Sequence, residues 1–357
     1  MNVFRKYLII ILFTLIGHPD LFAQVNSVDS LVQAYVKEHQ FSGTLMVQLK
    51  GKLIYQNSFG LANRSFDIPI HQHTAFRIAS ITKLFTSVIV MQLYQEGKID
   101  LDQSIHTYLP NLTDEKSFQI KIHHLLNHTY GIDNIENRGI ENIQNPYTVD
   151  ELLSKYYNNP LKYSPGTHFE YNNGDFLMLG KIIENVCHRP YPEVLTERIL
   201  TPLHLKETGI LIDQRVIKQL ASTYSLNPKT NQLYNDIPYY IENFFTAGAM
   251  YSTVDDVLTF ANALLANKLL KPATLALLLT ASPKLDSYGY GLWIRKYTVE
   301  GKTYTVAERP GRIAGANALL SHLQEEDLTI VSLSNTNATN HEHFHNEIRK
   351  SLGIRVW

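Results

Sequence analysis

The sequence predicts an α+β fold, in which one antiparallel sheet is flanked by helices and interrupted by an inserted all-helical subdomain. Strand patterns lie near both ends of the 357-residue chain, while helical patterns fill most of its middle. Near the N-terminal end, alternating apolar residues indicate two strands that meet at Gly51 as a hairpin. The predicted strands are residues 44–50 and 53–59, followed late in the chain by 291–298, 303–308, 316–323 and 328–334.

Helical patterns complete the prediction. Apolar residues at helical spacing from Val28 to Val36 indicate an opening helix, and Thr148 with Glu151 forms a capping box at the start of another. Thr253 is a suitable cap for the helix that follows it. Further helices are expected at residues 122–127, 174–186, from 272 onward and 341–352. We assign the sheet part to about residues 24–75 and 285–357, and the helical part to about residues 76–284.

Composition limits the classes of partner. The chain is 44% hydrophobic and 18% charged, which suits one large globular unit or two closely packed subdomains. A formal net charge of −1 argues against a nucleic-acid partner and against electrostatic binding to a membrane surface. Cys187 is the single cysteine, so the chain forms no internal disulfide and no thiolate metal site.

The N-terminal residues predict a secretory signal peptide over residues 1–23. Arg5 and Lys6 precede an apolar run over residues 7–17, and Ala23 followed by Gln24 offers a small-residue cleavage point. The run is too short for an ordinary membrane-spanning helix, although an uncleaved anchor is the alternative. We expect a mature domain of residues 24–357 that is secreted or periplasmic and has no stable membrane anchor.

Ser80 and Lys83 lie at the start of the most apolar helical stretch. Its apolar residues surround the whole helix, which indicates burial, and Gly97 suits the turn after its end. Ser80 and Lys83 are one turn apart and share a face. A buried lysine is costly unless its charge or proton is used, and a desolvated amine can accept the serine hydroxyl proton. The alternative is a helix-capping serine beside a lysine that extends to solvent.

Several further blocks occur in a fixed order with this Ser-x-x-Lys motif. With them the chain resembles the serine β-lactamase and penicillin-binding-protein superfamily, in the branch of class C β-lactamases and D-alanyl-D-alanine carboxypeptidases. The resemblance spans about residues 42–335 and implies a β-lactamase/transpeptidase-like fold, with the active site between the sheet and the helical part. The blocks are residues 80–83, 97–102, 108–110, 124–131, 164–167, 171–173 and 247–253.

The resemblance implies a role for each residue of the first two motifs. Ser80 would attack an acyl carbonyl and carry the acyl-enzyme, while Lys83 and Tyr171 would share the proton transfers. Asn173, the last residue of the Tyr-x-Asn motif, would orient Lys83 and bind the substrate amide. A free tyrosine has a pKa of about 10, so Tyr171 needs positive charge nearby, which Lys83 and Arg309 can supply.

The third motif departs from the family pattern of a cation, a hydroxyl residue and glycine. Here it is Arg309-Pro310-Gly311, so the cation is kept and the hydroxyl is lost. Arg309 is a candidate substrate-binding residue, either as a receptor for a carboxylate or as fixed positive charge beside Tyr171. The alternative is that Arg309 points to solvent and has no functional role. Proline in a strand is tolerated mainly at a sheet edge. The resemblance places the oxyanion hole at the backbone N–H groups of Ser80 and Arg312.

Two histidine-containing segments do not predict a metal site. His124 and His128 are four residues apart, but no carboxylate or third ligand accompanies them. His341, His343 and His345 are interpreted as the solvated first turn of the last helix. We therefore expect no metal and no organic cofactor.

The predicted function is that of an exported serine hydrolase acting on a small molecule or peptide. The expected reaction is cleavage of a small amide or ester through an acyl-enzyme, and a D-amino acid peptide is the substrate that the resemblance suggests. A family esterase and a catalytically silent binding module are the alternatives. Retention of Ser80, Lys83, Tyr171 and Asn173 together argues against the silent module. The sequence leaves the oligomeric state open.

Overall fold

A computed structural model describes residues 19–132 and 144–356. Six strands of this part form one antiparallel sheet in the order β10-β11-β12-β13-β1-β2. The strands that come first and last along the chain, β1 and β13, are neighbours inside the sheet, and Gly43 of β1 lies opposite Ser334 of β13. These strands are β1 (Gly43–Leu49), β2 (Lys52–Phe59), β10 (Trp293–Val299), β11 (Lys302–Ile313), β12 (Ala316–Leu323) and β13 (Leu328–Ser334).

Short strands connect the sheet with the helical part. They form two hairpins, β3-β4 and β7-β8, and a three-stranded sheet in the order β5-β9-β6. Their bounds are β3 (Leu61–Asn63), β4 (Ile68–Pro69), β5 (Phe76–Arg77), β6 (Gly209–Ile210), β7 (Tyr224–Asn227), β8 (Gln232–Asn235) and β9 (Met250–Ser252).

Helices cover both faces of the large sheet and form the helical part. The first helix and the last one pack together on one face, and the helices from residue 82 to residue 278 lie on the other side. Their bounds are α1 (Pro19–His39), α2 (Thr82–Gln95), α3 (Ile105–Tyr108), α4 (Glu115–Gln119), α5 (Ile122–Leu126), α6 (Val149–Tyr157), α7 (Asn173–Cys187), α8 (Tyr191–Leu195), α9 (Phe245–Gly248), α10 (Val254–Leu265), α11 (Pro272–Leu278) and α12 (His341–Ser351).

Helix α2 is buried along almost its whole length, as its apolar circumference predicts. The Phe85 ring stacks on Phe260 of α10 with their centroids 3.8 Å apart. A 3₁₀ turn, Ala79–Ile81, precedes α2 and packs against β11 and β12. The N-terminal end of α2 therefore lies at the boundary between the sheet and the helical part.

The predicted local signals agree with the observed elements. Thr148 and Glu151 make both bonds of the capping box before α6, and the Thr253 side chain accepts from the backbone of Asp256 at the start of α10. The main difference is the length of β11, which continues to Ile313 where the prediction ended at Glu308. Strand β10 begins opposite Glu308, so β10 pairs with none of residues 309–313.

Pro310 lies in the part of β11 that does not pair with β10. On its other side it lies opposite Leu319 of β12. The missing N–H of the proline is therefore compatible with the sheet, because the strand is locally an edge although β11 itself is not the edge strand.

The interpretation of residues 341–345 as a solvated turn is wrong. His341 and His345 are buried, and only His343 of the three histidines is exposed. Ser332 of β13 bonds to the His341 Nδ1 atom and to the His345 Nε2 atom, each over 2.7 Å. Positions i and i+4 share one helix face, and that face of α12 lies on the sheet. Burial lowers the pKa of both histidines.

The predicted signal peptide lies mostly outside the described residues. Its last part, residues 19–23, belongs to α1, which continues through Ala23 and Gln24 to His39. Within residues 19–132 and 144–356, no helix combines the length and the apolar character that a membrane span requires.

We predict that Phe85→Ala lowers the free energy of unfolding by about 3–5 kcal/mol, because it removes a stacked ring from the core. Phe118→Ala is the matched control, since its ring is 54% exposed, and it should change stability by no more than about 0.5 kcal/mol. Urea unfolding of the two variants and the wild type measures both effects. Equal losses in the two variants would contradict the described packing of α2.

Candidate active site

Ser80 lies in the 3₁₀ turn before α2 and is half-buried. The preceding residue, Ala79, has a φ of 46°, a left-handed conformation that costs an alanine about 1–2 kcal/mol. The Ala79 carbonyl accepts the Thr82 hydroxyl over 2.6 Å, and the Ile78 N–H bonds to Met250 of β9 over 3.0 Å. These bonds hold the strained turn, which turns Ser80 toward the cleft between the sheet and the helical part.

Gly311 allows β11 to approach this turn closely. A Cβ atom at residue 311 would lie 2.2 Å from the Ile78 carbonyl oxygen and 3.1 Å from the Ser80 nitrogen. Any larger residue would therefore push the strand away from Ser80. The close approach brings Arg312, the residue after this glycine, next to Ser80. Its role as an oxyanion-hole donor stays a prediction.

Lys83 is fully buried one turn after Ser80. Its ammonium group donates to Asn173 Oδ1 over 2.5 Å, to the Ala247 carbonyl over 2.9 Å and to Ser80 Oγ over 3.3 Å. It also lies 4.9 Å from the centre of the Tyr171 ring. These acceptors offset the cost of burying a cation, and they aim it at the serine hydroxyl.

Tyr171 completes the contact with the serine. Its hydroxyl donates to Ser80 Oγ over 2.9 Å and accepts from Arg309 Nη2 over 2.7 Å. Burial, the largest single influence, raises the pKa of Tyr171, but the charges of Arg309 and Lys83 and the bonds from Lys83 and Ser80 together lower the pKa to about 8. A tyrosinate is thus accessible near neutral pH.

Arg309 is fully buried and donates from each of its three nitrogen atoms. Nε donates to the Ser80 carbonyl over 2.6 Å, Nη1 to the Tyr288 hydroxyl over 2.8 Å and Nη2 to the Tyr171 hydroxyl. Of the two roles that the sequence leaves open for Arg309, these contacts favour fixed positive charge beside Tyr171. A substrate carboxylate would have to displace them.

A cleft of about 280 Å³ opens beside these groups. Its charged side chains are those of Arg295, Arg312 and Glu342. The sequence predicts a role only for the backbone N–H of Arg312 and none for the other two. The Arg312 side chain donates to Glu342 over 3.0 Å, and Arg295 pairs with Glu308 outside the cleft lining. Strand alternation was the available signal, because Arg312 and Pro310 share a face of β11 opposite to that of Arg309. The cleft is lined by Ser80, Tyr171, Trp293, Arg295, Pro310, Arg312 and Glu342.

The histidines considered as metal ligands have other partners. His124 Nδ1 accepts the Lys121 N–H over 3.1 Å, and burial is the main cause that lowers its pKa to about 4. His128 Nδ1 lies 2.7 Å from Asp175 Oδ2. In residues 19–132 and 144–356, no three histidine, cysteine or acidic side chains converge as metal ligands do.

Comparison with known proteins decides the family. A family model described as Beta-lactamase matches residues 28–353. The chain belongs to the Beta-lactamase family. This result confirms the resemblance noted in the sequence and the enzyme class, a serine hydrolase, that follows from it.

Two relatives by sequence have informative names. PbpX of Bacillus subtilis, a penicillin-binding-protein relative, is 27% identical over 275 residues, which are 76% of this chain and 67% of that protein. A teichoic acid D-alanine hydrolase of Staphylococcus aureus is 27% identical over 267 residues, which are 74% of this chain and 65% of that protein. The chain thus matches about two thirds of the length of each relative.

A solved structure supports the fold class. The D-amino acid amidase of Ochrobactrum anthropi SV3 superimposes with a TM-score of 0.80 at 21% identity, over 92% of this chain and 99% of that one. This likeness confirms the predicted β-lactamase/transpeptidase-like fold of this family member.

We predict that Tyr171 ionises near pH 8, about two units below an ordinary tyrosine, because Arg309 and Lys83 stabilise its anion. A titration of tyrosinate absorbance, wild type minus Tyr171→Phe, isolates this one group. In Arg309→Ala the midpoint of the Tyr171 titration should rise, because the charge of Arg309 lowers this pKa more than the charge of Lys83 does. A difference curve with its midpoint near pH 10 in the wild type would contradict the described electrostatics.

Proposed function

We propose that this chain is an exported serine hydrolase that cleaves a small D-aminoacyl ester or amide through an acyl-enzyme on Ser80. The observation that supports this most is the position of Ser80 Oγ, which is within hydrogen-bond reach of both the Tyr171 hydroxyl and the Lys83 ammonium. A nucleophile between a polarised phenol and a buried cation has what acyl transfer requires. Export is proposed from Arg5, Lys6 and the apolar run after them.

The mechanism follows from these contacts. In the reactive form Tyr171 is a tyrosinate, stabilised by Lys83 and Arg309, and it removes the Ser80 proton as Oγ attacks the acyl carbonyl. The backbone N–H groups of Ser80 and Arg312 would receive the oxyanion. Tyr171 then gives the proton to the leaving oxygen or nitrogen, and the acyl group stays on Ser80. In the second half a water molecule attacks the acyl-Ser80 ester while Tyr171 takes a proton from it. Tyr171 then gives this proton to Ser80 Oγ, and the free acid is released.

Two sources support the substrate class. The names of two similar proteins, a teichoic acid D-alanine hydrolase and a D-amino acid amidase, both describe release of a D-amino acid. The cleft of about 280 Å³ beside Ser80 has room for a small acyl group such as a D-alanyl group. A family esterase without preference for D-configuration is the alternative.

We propose that Arg309 acts as fixed charge and that Arg312 meets any acidic group on the substrate. Arg309 is buried and already bonds to Ser80, Tyr171 and Tyr288. The Arg312 side chain is 58% exposed at the cleft, and its ion pair with Glu342 is a surface pair. Such pairs contribute about 0–1 kcal/mol, so a substrate anion can replace Glu342 at little cost.

We predict that residues 24–357 hydrolyse D-alanyl esters and amides faster than the L-forms, and that Ser80 carries the acyl group. Intact-mass measurement during turnover should detect the acyl adduct, and a fluorophosphonate probe should label wild type but not Ser80→Ala. Equal labelling of both proteins would remove Ser80 from the mechanism. Labelling without turnover of any ester or amide would favour the silent binding module, and equal D- and L-rates would favour the family esterase.

A second prediction separates the two arginines. With a carboxylate substrate and its methyl ester as a matched pair, Arg312→Gln should lower the acid-to-ester ratio of kcat/KM by about tenfold or more, the value of a charge-assisted hydrogen bond. Arg309→Lys should slow both substrates but leave their ratio near the wild-type value, since Arg309 would act on Tyr171. A lowered ratio in Arg309→Lys alone would return the carboxylate role to Arg309.

A further inference from the structure

A buried histidine–aspartate pair lies directly behind the Tyr171 ring. His128 Nδ1 and Asp175 Oδ2 are 2.7 Å apart, and both side chains are completely shielded from solvent. The imidazole centre is 4.5 Å from the Tyr171 ring centre and 4.9 Å from that of Tyr288. His128 therefore packs against both tyrosines whose hydroxyl groups accept from Arg309.

The backbone of His128 is tied to the same segment. Its carbonyl accepts the Glu170 N–H over 2.9 Å, one residue before Tyr171. Its φ of 58° is left-handed, and both its carbonyl and its imidazole contact the 170–175 segment. Asp175 lies on the first turn of α7, two residues after Asn173. One histidine thus contacts the segment that carries Tyr171 from its backbone and from its side chain.

The protonation of the pair follows from its surroundings. Burial first, and then the positive charges of Lys83 and Arg309, lower the pKa of His128 well below its usual value, so the imidazole is neutral. An unprotonated Nδ1 would accept the Asn172 N–H over 3.3 Å, whereas a protonated Nδ1 donates to Asp175 Oδ2 over the shorter distance of 2.7 Å. We assign the single ring proton to Nδ1, from which it is donated to the carboxylate.

Asp175 also matters for the charge balance. Lys83 and Arg309 are both fully buried cations, and burying cations without an anion is expensive. Among the described residues, the acidic side chains with less than a tenth of their surface exposed are Asp175 and Glu308. Glu308 pairs with Arg295 on the other face of β11. Asp175 is thus the buried carboxylate on the side of Tyr171, and its negative charge is one of the causes that raise the pKa of the neighbouring Tyr288.

We propose that His128 and Asp175 are positioning residues for Tyr171, with the imidazole fixing the two tyrosine rings around Arg309 and the carboxylate balancing the charges of Lys83 and Arg309. The proposal rests on the proposed function of Tyr171 as the proton carrier. The titratable groups around Tyr171 are then Lys83 from α2, Arg309 from β11, Tyr288, whose hydroxyl also accepts from Arg309, and the neutral His128 with Asp175 behind it.

Two substitutions separate the charge of the pair from its packing. Asp175→Asn keeps an oxygen that accepts the His128 Nδ1–H but removes the negative charge. His128→Asn places an amide N–H near the Nδ1 position and tolerates the left-handed backbone, but it removes the ring. His128→Phe would keep a ring but remove the N–H that donates to Asp175, so it serves as the stability control.

The two variants should change different quantities: Asp175→Asn the pKa of Tyr171, and His128→Asn the value of kcat. In Asp175→Asn, loss of a negative charge favours the tyrosinate, so the Tyr171 midpoint and the acidic limb of the pH–kcat profile should move to lower pH by about one unit. In His128→Asn, the midpoint should stay within a few tenths of a unit, while kcat falls about tenfold or more with KM little changed. Tyrosinate absorbance and D-alanyl ester kinetics measure the two effects.

The outcomes that overturn the inference are also distinct. A midpoint that is unchanged or raised in Asp175→Asn, with only lower stability in all three variants, would reduce the pair to a structural role. The absorbance titration needs no turnover, so a shifted midpoint in a chain that hydrolyses no ester would support the placement of the pair and count against the proposed function alone. Circular dichroism verifies that each variant is folded.

Discussion

The guanidinium of Arg309 is the contact on which the rest of the site depends. Its three nitrogen atoms bond to the Ser80 carbonyl, the Tyr288 hydroxyl and the Tyr171 hydroxyl. The N–H donors have fixed directions because the guanidinium is planar and rigid. A shift of any one partner would therefore break its hydrogen bond. Arg309 belongs to the sheet, Ser80 to the turn before α2 and Tyr171 to the helical part. One buried side chain therefore sets the separation of the two halves of the molecule at the cleft.

The cost of such a site is distributed over the fold. Lys83 and Arg309 are charged and buried, and Ala79 has a left-handed backbone. Each feature is unfavourable by itself, but hydrogen-bond acceptors surround both cations and the strained turn is bonded at Ile78 and Thr82. Because folding has already oriented these groups, little rearrangement is needed when charge develops on a reacting carbonyl. The same arrangement explains why the pKa of Tyr171 is lowered to about 8.

Much of this protein follows from local sequence patterns. The buried helix α2, the capped starts of α6 and α10 and the six strands of the sheet were all predictable, because periodicity and capping depend on neighbouring residues. Ser80 and Lys83 were recognisable as a pair because one helical turn separates them. Tyr171, Asn173 and Arg309 were found through the order of family blocks, since nothing local distinguishes a functional tyrosine from a loop tyrosine.

Only the tertiary structure decided what these residues contact. Alternation along β11 could have separated Arg309 from Arg312, but the extension of this strand beyond β10 decided that one is buried and the other lines the cleft. The pairing of His128 with Asp175, and the burial of His341 under the sheet, were likewise decided by which surfaces meet. A local pattern determines which face of an element is apolar. The partner of a polar side chain is set by elements that are distant in the sequence and meet only when the chain folds.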